Sequence, residues 1–402
     1  MENTNLDPSS ITNANNINEN ENENKNENEN KNENENKNEN ENKNENENKN
    51  ENKKKNIYDE YKDKGLSGLA NLGNTCYLNS CVQILSHTYE LNNFLINSNY
   101  KNKLNKIPDS VLLVEWDNLR ELMWNKNCTI APNGFINAIR TIANIKNKEI
   151  FSGFSQNDVS EFFLFLIESF HNSIARPVDI HISGDVKNNT DLLAIKCYKM
   201  MQNMYKNEYS EFLDLFFGIS VSQIKSVSTQ KILSCTPESF CVLSLHIPIH
   251  KHGISLYECI DDYCKSERLE GDNAYFNEET NQKEDIDKNT TFWSLPNILI
   301  IDLKRYDMYG RKLNIYVDIP FNADFTKYIS GYNKNSYLYE LYGVCNHSGG
   351  TMGGHYTSSI KNANGKWYEI NDTIIREIEE NKLISNKSYC IFYRKKKDNL
   401  YI

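Results

Sequence analysis

Residues 68–83 read Gly-Leu-Ala-Asn-Leu-Gly-Asn-Thr-Cys-Tyr-Leu-Asn-Ser-Cys-Val-Gln. They close a glycine-punctuated loop, Gly65 to Gly73, and enter an apolar pattern with Leu78, Val82, Leu85 and Leu91 near helical spacing. The pattern predicts a helix from about Thr75 to Ile96 with Cys76 at its start. A thiol there faces unpaired backbone N–H groups and the positive end of the helix dipole. Both favour the thiolate, the reactive form of cysteine. Most free cysteines are small buried hydrophobes; the loop and the helix start single out Cys76 as a nucleophile.

Further helical text covers Ser110–Trp124, Asn133–Ile145 and Asp158–Ile174. The last begins Asp158-Val-Ser-Glu161, the form of a capping box. The middle, about 177–289, mixes helical text at Leu192–Phe217 with a polar stretch at Asn273–Asn289. Short β-branched and aromatic runs follow at Ile298–Leu303, Ile315–Ile319, Tyr337–Cys345, His355–Lys361, Trp367–Ile370 and Tyr389–Arg394. Helices first and strands last predict an α+β protein with a cleft between a helical half and a sheet half.

A nucleophilic cysteine needs a base and a group to orient it. His355 ends the glycine-rich run from His347 to Gly354 and opens a strand pattern. Sixteen residues on, Trp367-Tyr-Glu-Ile-Asn371-Asp372 reads as a second strand. If the two form one hairpin, Asn371 can accept the ring N–H of His355 and aim its other nitrogen at the thiol. Taken alone, Asn371-Asp372 reads as a turn.

The first 56 residues differ from the rest. From Lys25 to Asn48 the hexamer KNENEN repeats four times. Such text has almost no apolar surface to offset the entropy of ordering, so residues 1–56 are expected to be a disordered tail. The tail carries −6 of the formal −10 charge. A net −4 over the remaining chain argues against a nucleic-acid surface. No apolar run reaches transmembrane length, and the polar N-terminus has no secretory core. Ten scattered cysteines read as reduced thiols in an intracellular protein, cytoplasmic or nuclear.

The segments 68–83 and Tyr339-Glu-Leu-Tyr-Gly-Val-Cys-Asn-His347-Ser-Gly to Gly354-His355-Tyr356 resemble the Cys box and His box of the ubiquitin-specific proteases, papain-like deubiquitinases. Gln156-Asn-Asp158-Val-Ser-Glu161-Phe162, Phe240 to Pro248 and Leu303-Lys-Arg-Tyr306 resemble further landmarks of that family. The resemblance covers about residues 66–394. It implies a papain-like fold in a catalytic domain at 57–396: a helical thumb at about 57–176, a finger or insert at about 177–292 and a β-rich palm at about 293–396. It implies a cysteine peptidase that cleaves after the C-terminal glycine of ubiquitin. Cys76 would be nucleophile, His355 base and then acid, and Asn371 its orienter, with Asp372 assisting. Asn71 would donate its side-chain amide to the oxyanion, a contact worth roughly 2.7–4 kcal/mol. Asp158, Tyr356, Gly353 and Gly354 would hold the thin diglycine tail. The N-cap reading of Asp158 is enough by itself to explain that residue, at about 1 kcal/mol.

Many members of the family carry two Cys-x-x-Cys pairs on a structural zinc in the finger. Here Ile224-Lys-Ser-Val-Ser-Thr and Tyr275-Phe-Asn-Glu-Glu stand at those places. No metal and no cofactor are expected, with a finger either folded without zinc or shortened. The expected partner is ubiquitin or a ubiquitinated protein, bound by a monomer with no nucleic acid or membrane partner. The rival readings are a catalytically silent ubiquitin-binding scaffold and the same chemistry on a ubiquitin-like modifier.

Overall fold

The run Ile298-Leu-Ile-Ile-Asp-Leu-Lys304 is apolar at almost every position because its sheet is covered on both faces. Successive strand side chains point to opposite sides. Ile298 and Ile300 join a core shared with the N-terminal helices, while Leu299, Ile301 and Leu303 join a second core behind the sheet. The strand Ser388–Lys395 splits the same way, Cys390 and Phe392 to one core, Ile391 and Tyr393 to the other. This is a computed structural model describing residues 58–396, apart from 154, 250–252, 333–336 and 351–352. The tail expected over 1–56 lies outside the described residues.

The palm sheet runs in the order Ile374–Ile378, Trp367–Asn371, Gly353–Lys361, Leu338–Gly350, Ser388–Lys395, Ile298–Lys304, Val242–His246, with Asn322–Asp324 beside Leu338–Gly350. Its pairings are antiparallel except for Val242–His246, which lies parallel to Ile298–Lys304. That strand comes from the middle of the chain, so the segment expected to be finger or insert returns to the palm before leaving again. Arg305, fully buried, ties the next loop to the sheet. Its Nε donates to the Ser388 carbonyl at 2.6 Å and its Nη1 to the carbonyls of Leu313 and Ile315 at 3.1 and 2.7 Å. The strand expected at Ile315–Ile319 contracts to Val317–Asp318.

Every residue of the helix Cys76–Ser86 is buried. It is wedged between the helix Val159–Ile174 and the strands Leu338–Gly350 and Gly353–Lys361. The fit against the sheet is tight: a Cβ at Gly343 would meet Ile84 at 2.8 Å. The single helix expected from Thr75 to Ile96 is two, Cys76–Ser86 and Tyr89–Asn97. Side chains satisfy the carbonyls at the break. Thr88 Oγ donates to the Ile84 carbonyl at 3.1 Å and Asn92 Nδ2 to that of Ser86 at 2.7 Å. The helical run at Leu192–Phe217 is likewise split, into Asn189–Asn207 and Glu211–Phe216. Asn188 and Asp191 start the longer piece with a reciprocal capping box.

The finger is present and folded. Its strands run in the order Ile232–Phe240, Gly218–Ser226, Ile286–Ser294, Glu267–Leu269. The helix Asn189–Asn207 lays Leu193, Ala194 and Cys197 against Ile219, Val221 and Trp293 of that sheet. The polar stretch Asn273–Asn289 carries the hairpin Tyr275–Asn277 to Gln282–Glu284 and the start of Ile286–Ser294. Its alternation is weak because much of this sheet is only half-buried. Among the described residues no helix is long and apolar enough to cross a membrane.

Candidate active site

The loop before Cys76 turns through the left-handed region at Gly73 (φ 100°) and Asn74 (φ 54°). Asn71 holds this turn together. Its Oδ1 accepts the backbone N–H groups of Gly73 at 3.2 Å and Thr75 at 3.1 Å. Its Nδ2 donates to Asp372 Oδ2 at 3.1 Å. Asp372, at φ 52°, also accepts Asn79 Nδ2 on its Oδ1 at 2.7 Å, and its carbonyl accepts the Leu69 N–H at 2.9 Å. Asp372 thus fastens the cysteine loop to the end of the strand Trp367–Asn371.

His355 and Asn371 lie on paired strands of one hairpin, as the spacing predicts. Asn371 would sit across from Thr357, two residues from His355 and on the same face of the sheet. His355 Nε2 is 2.7 Å from Asn371 Oδ1. A carboxamide oxygen only accepts, so Nε2 carries a proton, and in the neutral ring the lone pair is then on Nδ1. His347, the other histidine of the motif, is nearly buried and has a different role. Burial and the charge of Lys312 hold its imidazole down to about 4. Lys312 Nζ is 3.0 Å from His347 Nδ1 and donates to its carbonyl at 2.6 Å.

Cys76 is 3% exposed. The helix start alone predicts a lowered thiol pKa; the folded protein raises it. Burial is the largest cause and the charge of Asp372 adds to it, against the backbone N–H groups of Tyr356, Tyr77 and Cys76. Desolvation of the anion outweighs the helix terminus. Among the described residues no hydrogen bond joins Cys76 Sγ to His355. The sulphur meets Gln156 Nε2 at 3.8 Å.

Sequence reasoning places Gln156 in a longer motif and gives it no role at the site; the structure does. Its amide grips the backbone of Gly354, donating to the carbonyl at 2.5 Å and accepting the N–H at 2.6 Å. Gly354 is obligatory here, since a Cβ would fall 2.3 Å from His347 Nε2 and 2.5 Å from the Ser348 carbonyl. Gly353, its neighbour, is exposed. Gln156 therefore links the thiol to the residue preceding His355, which lies 198 residues beyond Gln156 in sequence.

Asp158 does cap the helix Val159–Ile174. Its Oδ1 accepts the N–H groups of Ser160 at 2.8 Å and Glu161 at 3.1 Å. Its Oδ2 accepts the Tyr389 hydroxyl at 2.5 Å. Tyr356 is 4% exposed and packs its ring on His347, 4.5 Å between centroids, and on Tyr389. Asp158 and Tyr356, two of the four residues expected at the substrate, thus each hold a place in the packing of the fold.

Behind Asp158 lies a second carboxyl group, Asp302, 8% exposed. Ser244 Oγ reaches its Oδ2 at 3.4 Å. Burial, then the charge of Asp158, push it up to about 7, against hydrogen bonds from Ser244 and Ser160 and the charge of Lys304. Between the ordinary carboxyl value and that one the folded protein holds a proton that the unfolded chain has lost, so the contribution of Asp302 to stability falls as pH rises from about 4 to about 7. Asp302→Asn is expected to equal wild type near pH 4 and to exceed it by roughly 2–4 kcal/mol above pH 7. Urea unfolding across that range measures this; a constant difference with pH would exclude it.

The profile of the family described as "Ubiquitin carboxyl-terminal hydrolase" matches residues 67–393. The chain is 32% identical over 342 residues to "Ubiquitin carboxyl-terminal hydrolase Usp2" of Drosophila melanogaster, covering 83% of this chain and 35% of that protein. It is 30% identical over 348 residues to "Ubiquitin carboxyl-terminal hydrolase 2" of Homo sapiens, covering 82% and 55% respectively. The chain spans about a third to a half of the length of these curated relatives. Among solved structures, the SAGA Ubp8/Sgf11/Sus1/Sgf73 DUB module bound to ubiquitin aldehyde aligns with TM-score 0.65 and 25% identity, over 84% of this chain and 71% of that one. The same module bound to monoubiquitin aligns with TM-score 0.64 and 26% identity, over 83% and 70%.

Proposed function

The chain belongs to the ubiquitin carboxyl-terminal hydrolase family, and on that premise we propose that it is a thiol-dependent deubiquitinase, cleaving the bond after the C-terminal glycine of ubiquitin. Cys76 passes its proton to His355 Nδ1 as the sulphur attacks the glycine carbonyl. The same nitrogen then protonates the departing amine, leaving a thioester on Cys76. Water, deprotonated by His355, attacks the thioester and frees the glycine carboxylate and the thiol. Asn371 keeps the imidazole aimed throughout by holding Nε2–H. The observation that carries this reading is the 2.7 Å His355–Asn371 hydrogen bond, on a strand packed against the helix that Cys76 begins. A silent ubiquitin-binding scaffold has no use for a histidine held in one tautomer.

Reaction with ubiquitin bearing an electrophile at its C-terminus tests the proposal. One adduct, located at Cys76 by mass spectrometry, is expected. Folded protein that forms none would sink the enzyme reading. Faster reaction with a probe built on a ubiquitin-like protein would change the modifier.

Asn71 supplies the oxyanion donor. One N–H of its amide is engaged by Asp372, which leaves the second for the tetrahedral oxygen. Asn71→Ala is expected to lower kcat by about 10²–10³ with KM little changed. Steady-state kinetics decide, alongside a melting curve, because Asn71 also ties its own loop. A kcat within a few-fold of wild type would remove Asn71 from the site.

A further inference from the structure

At the tip of the finger two turns meet. One joins Gly218–Ser226 to Ile232–Phe240, the other Tyr275–Asn277 to Gln282–Glu284. These are the places where the family resemblance implies a zinc site, and the residues present do not fit one. Ser226, Ser228, Asn277 and Glu284 bring two hydroxyls, a carboxamide and one carboxylate, without thiolate or imidazole. Cys235 lies part-way along a strand opposite Gln223, and Cys241 and Cys259 are buried in the palm cores. Among the described residues no group of three or more His, Cys, Asp or Glu could hold a metal ion.

The polar atoms at the tip are instead matched to one another. Ser226 Oγ donates to Glu284 Oε2 at 2.8 Å, and Asn277 Nδ2 donates to Glu284 Oε1 at 2.5 Å. Asn277 Oδ1 accepts the Glu279 N–H at 2.9 Å, and Ser226 Oγ accepts the Thr229 N–H at 3.2 Å. The Val227 N–H reaches the Asp285 carbonyl at 3.0 Å. Ser226 is fully buried and Asn277 is 7% exposed. Hydrogen bonds from Asn277 and then Ser226 hold the Glu284 carboxyl below its ordinary value.

We propose that Glu284, Ser226 and Asn277 form a metal-free clasp that locks the two fingertip turns together and sets the finger to receive the globular body of ubiquitin. The functional half of this inference rests on the deubiquitinase reading. Each turn contributes one neutral donor, and the carboxylate is their shared acceptor. Hydrogen bonds to a charged acceptor are roughly twice as strong as neutral ones. Without the carboxylate, two buried donors lose their partner and the turns separate. The finger sheet contains none of Cys76, His355 and Asn371, so the clasp positions substrate and leaves the chemistry alone.

Glu284→Ala and Asn277→Asp test the clasp on two substrates, ubiquitin with a C-terminal aminocoumarin and a short coumarin peptide ending in the same diglycine. KM for the ubiquitin substrate is expected to rise about ten-fold with kcat little changed, and the short peptide should be unaffected. Amide hydrogen exchange should quicken at residues 226–231 and 275–285. Glu284→Gln, which keeps one acceptor oxygen, should recover part of the loss. The chelator 1,10-phenanthroline should leave wild type unchanged. Unaltered KM and exchange in Glu284→Ala, equal losses on both substrates, or stoichiometric zinc in purified wild type would each overturn the clasp. If wild type turns over neither substrate, the functional reading fails, and hydrogen exchange still decides whether the clasp exists.

Discussion

Cys76→Ala is expected to lower turnover of a ubiquitin–aminocoumarin substrate by at least about 10⁴-fold while leaving ubiquitin binding in place. Alanine removes the sulphur and little else, because Cys76 is already buried in a helix with no exposed face. Any residual rate comes from the oxyanion donors and substrate positioning. The raised thiol of the resting protein adds a second expectation. Alkylation of Cys76 by iodoacetamide should keep accelerating with pH beyond the ordinary thiol range near about 8.5. A helix-terminus thiolate would instead alkylate at a rate flat from mildly acidic pH. In this protein burial opposes the thiolate, and proton transfer to His355 must accompany attack. Retained turnover in Cys76→Ala would end the nucleophile assignment; a flat alkylation profile would leave it standing but reverse the account of how the thiol is activated.

Arg394→Met is expected to cost about 3–5 kcal/mol of stability. The guanidinium sits among three tyrosines, its central carbon 4.4 Å from the ring centroid of Tyr342, 4.5 Å from Tyr89 and 5.1 Å from Tyr58. Its Nη2 donates to the His87 carbonyl at 2.8 Å, and its Nε lies 3.5 Å from Glu90 Oε1. The side chains of Arg394 and Glu90 are 10% and 15% exposed. Removing the cation leaves Glu90 with the Tyr58 hydroxyl, 2.8 Å away, and an uncompensated charge. Tyr61 stacks on Tyr89 at 4.5 Å, so the same box fastens the start of the described chain to the last palm strand. Urea unfolding should show the loss, and hydrogen exchange should show residues 58–61 released. Arg394→Lys should not restore stability, because an ammonium cannot stack its plane on the rings. A loss under about 1 kcal/mol would mean that the box packs as well without its charge.

Much of the catalytic arrangement was legible because its parts are close in sequence. A loop that bends at Gly73 and a helix that opens at Cys76 can be read from glycines and periodicity. His355 and Asn371 are sixteen residues apart, and a hairpin with period-two faces brings them together whatever else the chain does. The N-cap at Asp158 was equally local, needing only its own next three residues. The individual strands of the finger leave little trace in the sequence, because a half-buried sheet with polar residues on both faces gives no clean alternation.

Contacts between distant segments were decided by the fold alone. Asn71 meets Asp372 across 301 residues, and Gln156 grips Gly354 across 198. Ser226 reaches Glu284 where the sequence shows only missing cysteines. Charge states were the least accessible, since they depend on how much water each group keeps. The sequence alone determined which thiol and which imidazole are candidates for the chemistry. Tertiary packing decided that the thiol rests above its ordinary pKa, that His347 is a neutral neighbour of Lys312, and that Asp302 lies buried behind Asp158. Residue identity and local spacing are written along the chain; desolvation exists only once distant segments close around a group.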